Sequence, residues 1–344
     1  MDIYKLLCAL CEKRGISGNE SDIAEFSESI LKNYCSETKI DKFNNVYGFI
    51  PSGKKNAKKL MIEAHLDRIG LMVKNIDENG FIEFSAVGGV DERTLPSAEV
   101  VILGKKEVFG VIGAKPPHLR SAEDSGAAKI SDMLIDAGMD KKSAEELIAV
   151  GDFILLKSET VRLLNNRVSG AALDNRCGLA AVIDFLKRYK SLKEKVFDVY
   201  AVFTYGEESG LLGAHRAARE VMPDYAIAVD VTFGKTGDLK DFHGAFELGA
   251  GAVILRGGDV SYSNTLALIN CAEKNDIPYE IEVQGESSGT DASAILNGSG
   301  AVANMIISIP LKYMHQTVET VCLDDVEAVG RLIFEAAKGG FLSD

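Results

Sequence analysis

The sequence predicts an α/β protein, a sheet covered by helices on both faces and interrupted by a β-rich insertion. Three observations carry that prediction. After residue 165, apolar β runs alternate with helical segments, the pattern of helices packed on both faces of one sheet. Between about Arg68 and Asn165 the texture changes to short β runs punctuated by glycines, as in a small barrel or sandwich. The chain has 344 residues, of which 46% are hydrophobic, enough for two domains and a sizeable core.

Taken in order, the first 35 residues carry helical periodicity in two pieces split by Gly15 and Gly18. Ile23, Phe26, Ile30 and Leu31 mark one face of the second piece. Strand-like runs follow at 46–50 and 59–64, with a polar turn over 52–57 between them, and His65 stands at the end of the second. In the insertion, β runs fall at 71–76, 81–87, 100–103, 108–112 and 153–156, with a charged helical stretch at 143–149. Beyond it come a helix over 176–188, a strand over 196–205 and a helix over 211–220. A strand over 225–229 ending at Asp230 and a C-terminal helix around 324–337 complete the reading. The predicted division is therefore 1–67 with 166–344 as the α/β domain and 68–165 as the insertion.

Composition narrows the function. A formal net charge of −13, from 38 basic and 51 acidic residues, disfavours nucleic acid and anionic membrane surfaces, which call for basic patches. No apolar run approaches the roughly 18 residues of a membrane span. The N-terminal MDIYKLLCALCEKRG is broken by charges and has no export-type stretch, so a soluble, cytoplasmic protein is expected. Of the six cysteines, only Cys8 and Cys11 have metal-ligand spacing, and no second pair completes a tetrahedral site; they read as small apolar helix residues.

Five residues suited to metal ligation recur at element ends: His65, Asp174, Glu208, Asp230 and His315. Open α/β sheets bind ligands beyond the carboxyl ends of their strands, so residues far apart in the chain can converge there. Imidazole mixed with carboxylate suits zinc, cobalt or manganese better than calcium. Each residue also has a plainer reading. Asp174 is placed to cap a helix, Glu207-Glu208 to form a solvated turn, and either histidine to be satisfied by packing.

The segments AHLDRIG (64–70), ALDNRCG (172–178), YGEESGLLGA (205–214), AVDVT (228–232), GTDASAI (289–295) and KYMHQTVE (312–319) occur in that order, with GVIGAKPPH (110–118) in the insertion. Together they resemble metallopeptidase family 42, the glutamyl or tetrahedral (TET-type) aminopeptidases. The resemblance implies a zinc-exopeptidase-like sheet, a barrel-like insertion used for dimerisation, and two divalent ions per subunit, zinc first, with cobalt or manganese as the others. It places His65, Asp174 and Asp230 on one ion, and Asp174, Glu208 and His315 on the second. It implies a metal-bridging water activated by Glu207 and an imidazole of His65 oriented by Asp67. Short peptides with a free N-terminus would be the substrates, and dimers building a dodecamer the assembly.

Two positions depart from the family's commoner pattern. Arg68 stands where many relatives carry Glu, and Asn175 where Asp is frequent. Arg68 is expected either to pair with acidic N-terminal side chains or to be a surface or subunit-contact residue. Three other functions fit parts of the pattern: a two-metal amidohydrolase acting on acylated amino acids, an endoglucanase-like glycoside hydrolase using paired carboxylates, and a non-catalytic shell protein. The loop Gly289-Thr290-Asp291 reads as a helix start with Thr290 or Asp291 as its cap. His118, His215 and His243 read as residues without a site role, and Gly257-Gly258 as a turn.

Overall fold

The structure is a computed structural model that describes residues 2–114, 128–237, 244–299 and 302–339. His118, His243 and the end of the GVIGAKPPH segment lie outside the described residues. Two short helices open the chain, α1 (Ile3–Cys11) and α2 (Ser21–Leu31), followed by strands β1 (Glu37–Ile40), β2 (Val46–Ile50) and β3 (Lys59–His65). Strands β4 (Gly70–Ile76), β5 (Ile82–Val87), β6 (Glu99–Leu103), β7 (Glu107–Ile112) and β8 (Ile135–Asp136), helix α3 (Lys141–Leu147) and strand β9 (Phe153–Leu156) form the insertion. Then come β10 (Val161–Arg162), β11 (Arg167–Gly170), α4 (Leu173–Lys190), β12 (Asp198–Thr204), α5 (Leu212–Val221) and β13 (Tyr225–Phe233). The chain ends with β14 (Ala252–Gly257), α6 (Tyr262–Lys274), β15 (Tyr279–Gln284), α7 (Asp291–Ser299), β16 (Ala303–Lys312), β17 (Glu319–Cys322) and α8 (Leu323–Gly339).

The large sheet runs β1-β2-β12-β3-β13-β16-β17-β11-β10, with β14 and β15 branching from β16. Its centre, β12-β3-β13-β16, is parallel and its flanks are antiparallel, so the sheet is mixed. The runs at 46–50 and 59–64 are not neighbours, because β12 lies between them. Strand alternation divides the core by face. Ile227, Val229 and Val231 of β13 join Met305, Ile307 and Ile309 of β16 in one apolar cluster under α1, α4 and α8. Ala226, Ala228 and Ile306 face the other way, toward the side covered by α5 and α7.

That second face carries the site. Strand β13 continues to Phe233, past the expected end at Asp230, because β-branched Val231 and Thr232 keep pairing with β16. Its pairing with β3 stops at Ala228–Glu63, so Asp230 sits beside the open end of β3, level with His65. The insertion is a closed barrel in the order β4-β5-β8-β7-β6-β9, which decides between barrel and sandwich. Its own core holds Leu71, Val73, Ile82, Phe84, Val100, Ile102, Ile135 and Ile154. No helix among the described residues is long and apolar enough to cross a membrane.

Candidate metal centre

His65 ends β3, Glu207 and Glu208 follow β12, Asp230 lies near the end of β13, Asp174 lies at the start of α4, and His315 follows β16. All but Asp174, which follows antiparallel β11, lie at the carboxyl ends of the parallel strands, and the topology brings all six residues to one cleft. His65, Asp174 and Asp230 offer three ligand atoms within 4.8 Å of one another, as do Asp174, Glu208 and His315. His65 Nε2 is 3.1 Å from Asp174 Oδ1 and 3.8 Å from Asp230 Oδ1. His315 Nε2 is 3.6 Å from Asp174 Oδ2 and 3.3 Å from Glu208 Oε2. The two oxygens of Asp174 thus face two different histidines. Glu207 Oε2 stands 4.0 Å from His65 Nε2, beside the cluster.

Backbone and side-chain contacts fix this arrangement. His315 Nδ1 donates to the Gly89 carbonyl at 2.8 Å, which orients the ring with Nε2 toward the carboxylates. Gly89 belongs to the insertion, and a Cβ there would stand 2.7 Å from that same ring nitrogen. His65 Nδ1 donates to the Asp67 backbone carbonyl at 3.2 Å, with the Asp67 carboxylate at 3.5 Å. That carboxylate also accepts from the backbone N–H groups of Glu207 and Glu208, at 3.0 and 3.1 Å, so Asp67 clamps the Glu207-Glu208 turn.

The capping of α4 falls to Asn175, not Asp174. Its Oδ1 accepts from Gly178 N at 3.1 Å and its Nδ2 donates to the Val229 carbonyl at 2.8 Å, next to Asp230. A neutral amide does both jobs, and the Asp174 carboxylate is left free for the cluster. Glu319 is a residue that sequence reasoning did not single out. It is buried and accepts from the backbone N–H of both Asp174 (3.2 Å) and His315 (3.0 Å). The signal was a carboxylate four residues after His315, at the start of a short strand that is buried throughout. A second missed group lies beneath His65, where Thr204 Oγ1 is 2.7 Å from Glu63 and 2.6 Å from Asp291. One hydroxyl hydrogen cannot serve both carboxylates, so one of the two acids holds a proton. Asp291 is therefore a buried partner of Glu63, and it is Thr290 Oγ1 that accepts from the Ala292 N–H, at 3.3 Å.

The electrostatics describe a site short of positive charge. Burial and the neighbouring Asp174 hold the Asp230 carboxyl at about 7, against the pull of His65. Burial, opposed by His65 and aided by Asp230, pushes Glu207 up to about 9, and burial with Asp174 carries Glu208 well above its ordinary range. Burial alone would lower His65, yet hydrogen bonds to Asp174 and Asp67 raise it well above the usual imidazole value. Carboxylates pressed together in a low dielectric seek cations. Oxygen and imidazole donors in two triads sharing one carboxylate fit a pair of divalent ions.

A cavity of about 710 Å³ opens over the cluster, walled by Thr232, Leu255, Glu282, Ile306, Ser308 and Thr290 among others. Arg68 is not among the residues lining it. Arg68 is 6% exposed, and its Nη2 donates to the Leu156 carbonyl of β9 at 3.3 Å. Both expectations for it fail: it neither faces the cavity nor lies on the surface, and instead ties the barrel to the loop after β3. All six cysteines are free, so Cys8 and Cys11 form no disulfide. His215 lies on α5, outside the cavity lining.

A family model described as M42 glutamyl aminopeptidase matches residues 44–332. A putative aminopeptidase of Acetivibrio thermocellus is 35% identical over 97% of this chain and 98% of its own length. A lysyl aminopeptidase of Pyrococcus furiosus is 34% identical over 94% of this chain and 93% of its own. The solved Pyrococcus horikoshii TET1 peptidase, described as assembling into a tetrahedron or a large octahedral shell, superposes with a TM-score of 0.83 at 33% identity, covering 98% of this chain and 99% of that one. With a zinc-exopeptidase-like sheet, a barrel insertion and two clustered ligand triads beside these matches, the chain belongs to the M42 glutamyl aminopeptidase family and is a metal-dependent aminopeptidase.

Proposed function

We propose that the protein removes residues one at a time from the free N-terminus of short peptides, using two divalent ions held by His65, Asp174 and Asp230 and by Asp174, Glu208 and His315. The observation that carries this reading is the pair of triads sharing Asp174. When bound, such a pair of ions lowers the pKa of water and polarises a carbonyl. Three carboxylate ligands offset three of the four positive charges, leaving about one to favour an anionic nucleophile. Zinc is the first choice, with cobalt or manganese as alternatives, because all three accept imidazole and carboxylate donors.

Glu207 is the general base in this scheme. Its carboxylate stands beside His65 without belonging to either triad. Cation charge next to it would draw its pKa down from about 9, so that it takes the proton of water at neutral pH and passes it to the leaving amine. Asp67 acts on this step through others, holding the turn that carries Glu207 and Glu208. Glu207→Gln should therefore keep both ions while turnover of free-amine substrates falls by roughly 100-fold or more. Retained turnover in that variant, or equal cleavage of N-acetylated peptides by the parent, would remove the reading.

Gly89→Ala tests the contribution of the insertion. The added methyl would press on His315 Nδ1, and misorienting this ring should weaken the second ion's affinity by about 10- to 100-fold while the His65 triad keeps its own. Metal titration of the variant, read as ions per subunit, checks it. We assign residues 1–67 and 166–344 to the catalytic domain and 68–165 to the inserted dimerisation domain, with the segment after β9 returning to the large sheet through β10, which pairs with β11. The barrel exposes Phe109, Val111 and Leu134, apolar surface suited to a subunit contact. The TET1 resemblance extends this to dimers assembling into a hollow dodecamer in the cytoplasm; light scattering gives its mass directly.

A further inference from the structure

We propose that Glu282 sets the substrate preference of this cavity, selecting peptides whose N-terminal residue carries a cationic side chain, lysine or arginine. The assignment rests on the two-ion reading above and goes beyond it. Among the described residues that line the cavity, Glu282 is the one ionisable side chain outside the candidate metal cluster and Glu207. It lies half-buried on β15, and Thr232 Oγ1 donates to its Oε1 at 3.1 Å. Burial holds its carboxyl above the ordinary range, so a cation placed against it would stabilise the anion.

The floor between cluster and carboxylate has the complementary character. Thr232 follows Asp230 by two residues on the same face of β13, about 7 Å along the strand. Ser308 is paired with Asp230 across β16, and Leu255 is paired with Glu282 across β14 and β15. Leu255 and Ile306 give that stretch an apolar surface. A side chain leaving a peptide held at the cluster thus crosses apolar ground and ends at an anion. A flexible four-carbon stem bearing an ammonium, or the longer guanidinium stem, matches that sequence of environments. An acidic side chain would meet Glu282 as a like charge. The one arginine that the sequence offered for pairing with acidic residues, Arg68, points into the barrel junction.

The experiment compares lysine with norleucine, which has the same stem and lacks the amine. In the ion-loaded enzyme, kcat/KM for lysyl over norleucyl anilides should be roughly 10 to 100, and Glu282→Gln should bring the ratio close to one. Glu282→Lys should shift the preference to glutamyl substrates. Free lysine and norleucine are then titrated calorimetrically, with the same ratio expected in affinity. A parent ratio near one, a parent preference for glutamyl substrates, or an equal loss on both substrates in Glu282→Gln overturns the assignment; equal loss would make Glu282 a ligand of the α-ammonium or a structural residue. Failure to cleave any substrate, with lysine still bound at least about tenfold tighter than norleucine and Glu282→Gln erasing that difference, would remove the peptidase reading and support the pocket assignment.

Discussion

Asp174→Ala is expected to empty both ion sites at once and to lower kcat/KM by about four orders of magnitude, roughly 5 kcal/mol of transition-state stabilisation. Asp174 is the one residue common to both triads. Its Oδ1 faces His65 and its Oδ2 faces His315, so removing the carboxylate deprives each ion of an anionic donor and of the bridge between them. The helix that carries it should survive, because Asn175 supplies the cap and Leu173, Cys177, Leu179 and Ala180 bury the first turns. His315→Ala is the contrasting variant. It removes a donor from one triad only, and one ion per subunit should remain on His65, Asp174 and Asp230. Elemental analysis per subunit, beside far-ultraviolet circular dichroism, separates the cases. Two ions retained in Asp174→Ala would sink the shared-carboxylate account.

The convergence of His65, Glu208, Asp230 and His315 was legible because each follows an apolar strand run, and parallel strands deliver their carboxyl ends to one edge. What escaped notice was settled by pairing rather than by local pattern. Barrel closure depends on β8, two residues long, which bridges β5 and β7 and is too short to show a period. The apolar run of β13 stops at Asp230, while the strand itself goes on because the neighbouring β16 continues to pair with it through Phe233. Asp291 looked like a cap because nothing nearby in the chain shows that Glu63 and Thr204 lie against it. Glu63 itself was visible as an acid inside the apolar run LMIEA, an anomaly that signals a buried partner. The sequence places Arg68 either against acidic substrate side chains or at a surface or subunit contact, but the insertion folds back over it and buries it against β9. Long-range closure hid each of these, and no window of sequence contains it.

Stripping the ions is expected to reverse how stability depends on pH. In the ion-free protein Asp230 titrates at about 7 and Glu207 at about 9, with burial the first cause of each and carboxylate neighbours adding to it. Their unfolded values lie near 4, so between about pH 4 and 9 the folded state holds more protons than the unfolded chain. Stability must then fall as pH rises through that window. His65 acts in the same direction, since its raised pKa contributes stability at low pH that is lost once the ring deprotonates. The ion-free protein should therefore melt several degrees lower at pH 9 than at pH 6, by an amount on the order of 10 °C. Cations displace those protons and bind more tightly as the ligands deprotonate, so the loaded protein should gain most where the stripped one is weakest. At a thousandfold excess over the dissociation constant the gain is about 4 kcal/mol. Melting curves at pH 6, 7.5 and 9, with and without a chelator, test this. A chelated protein whose midpoint is flat or rises over that range would show that the carboxylates of the cleft are not starved of positive charge, and the case for a pair of cations there would lose its electrostatic basis.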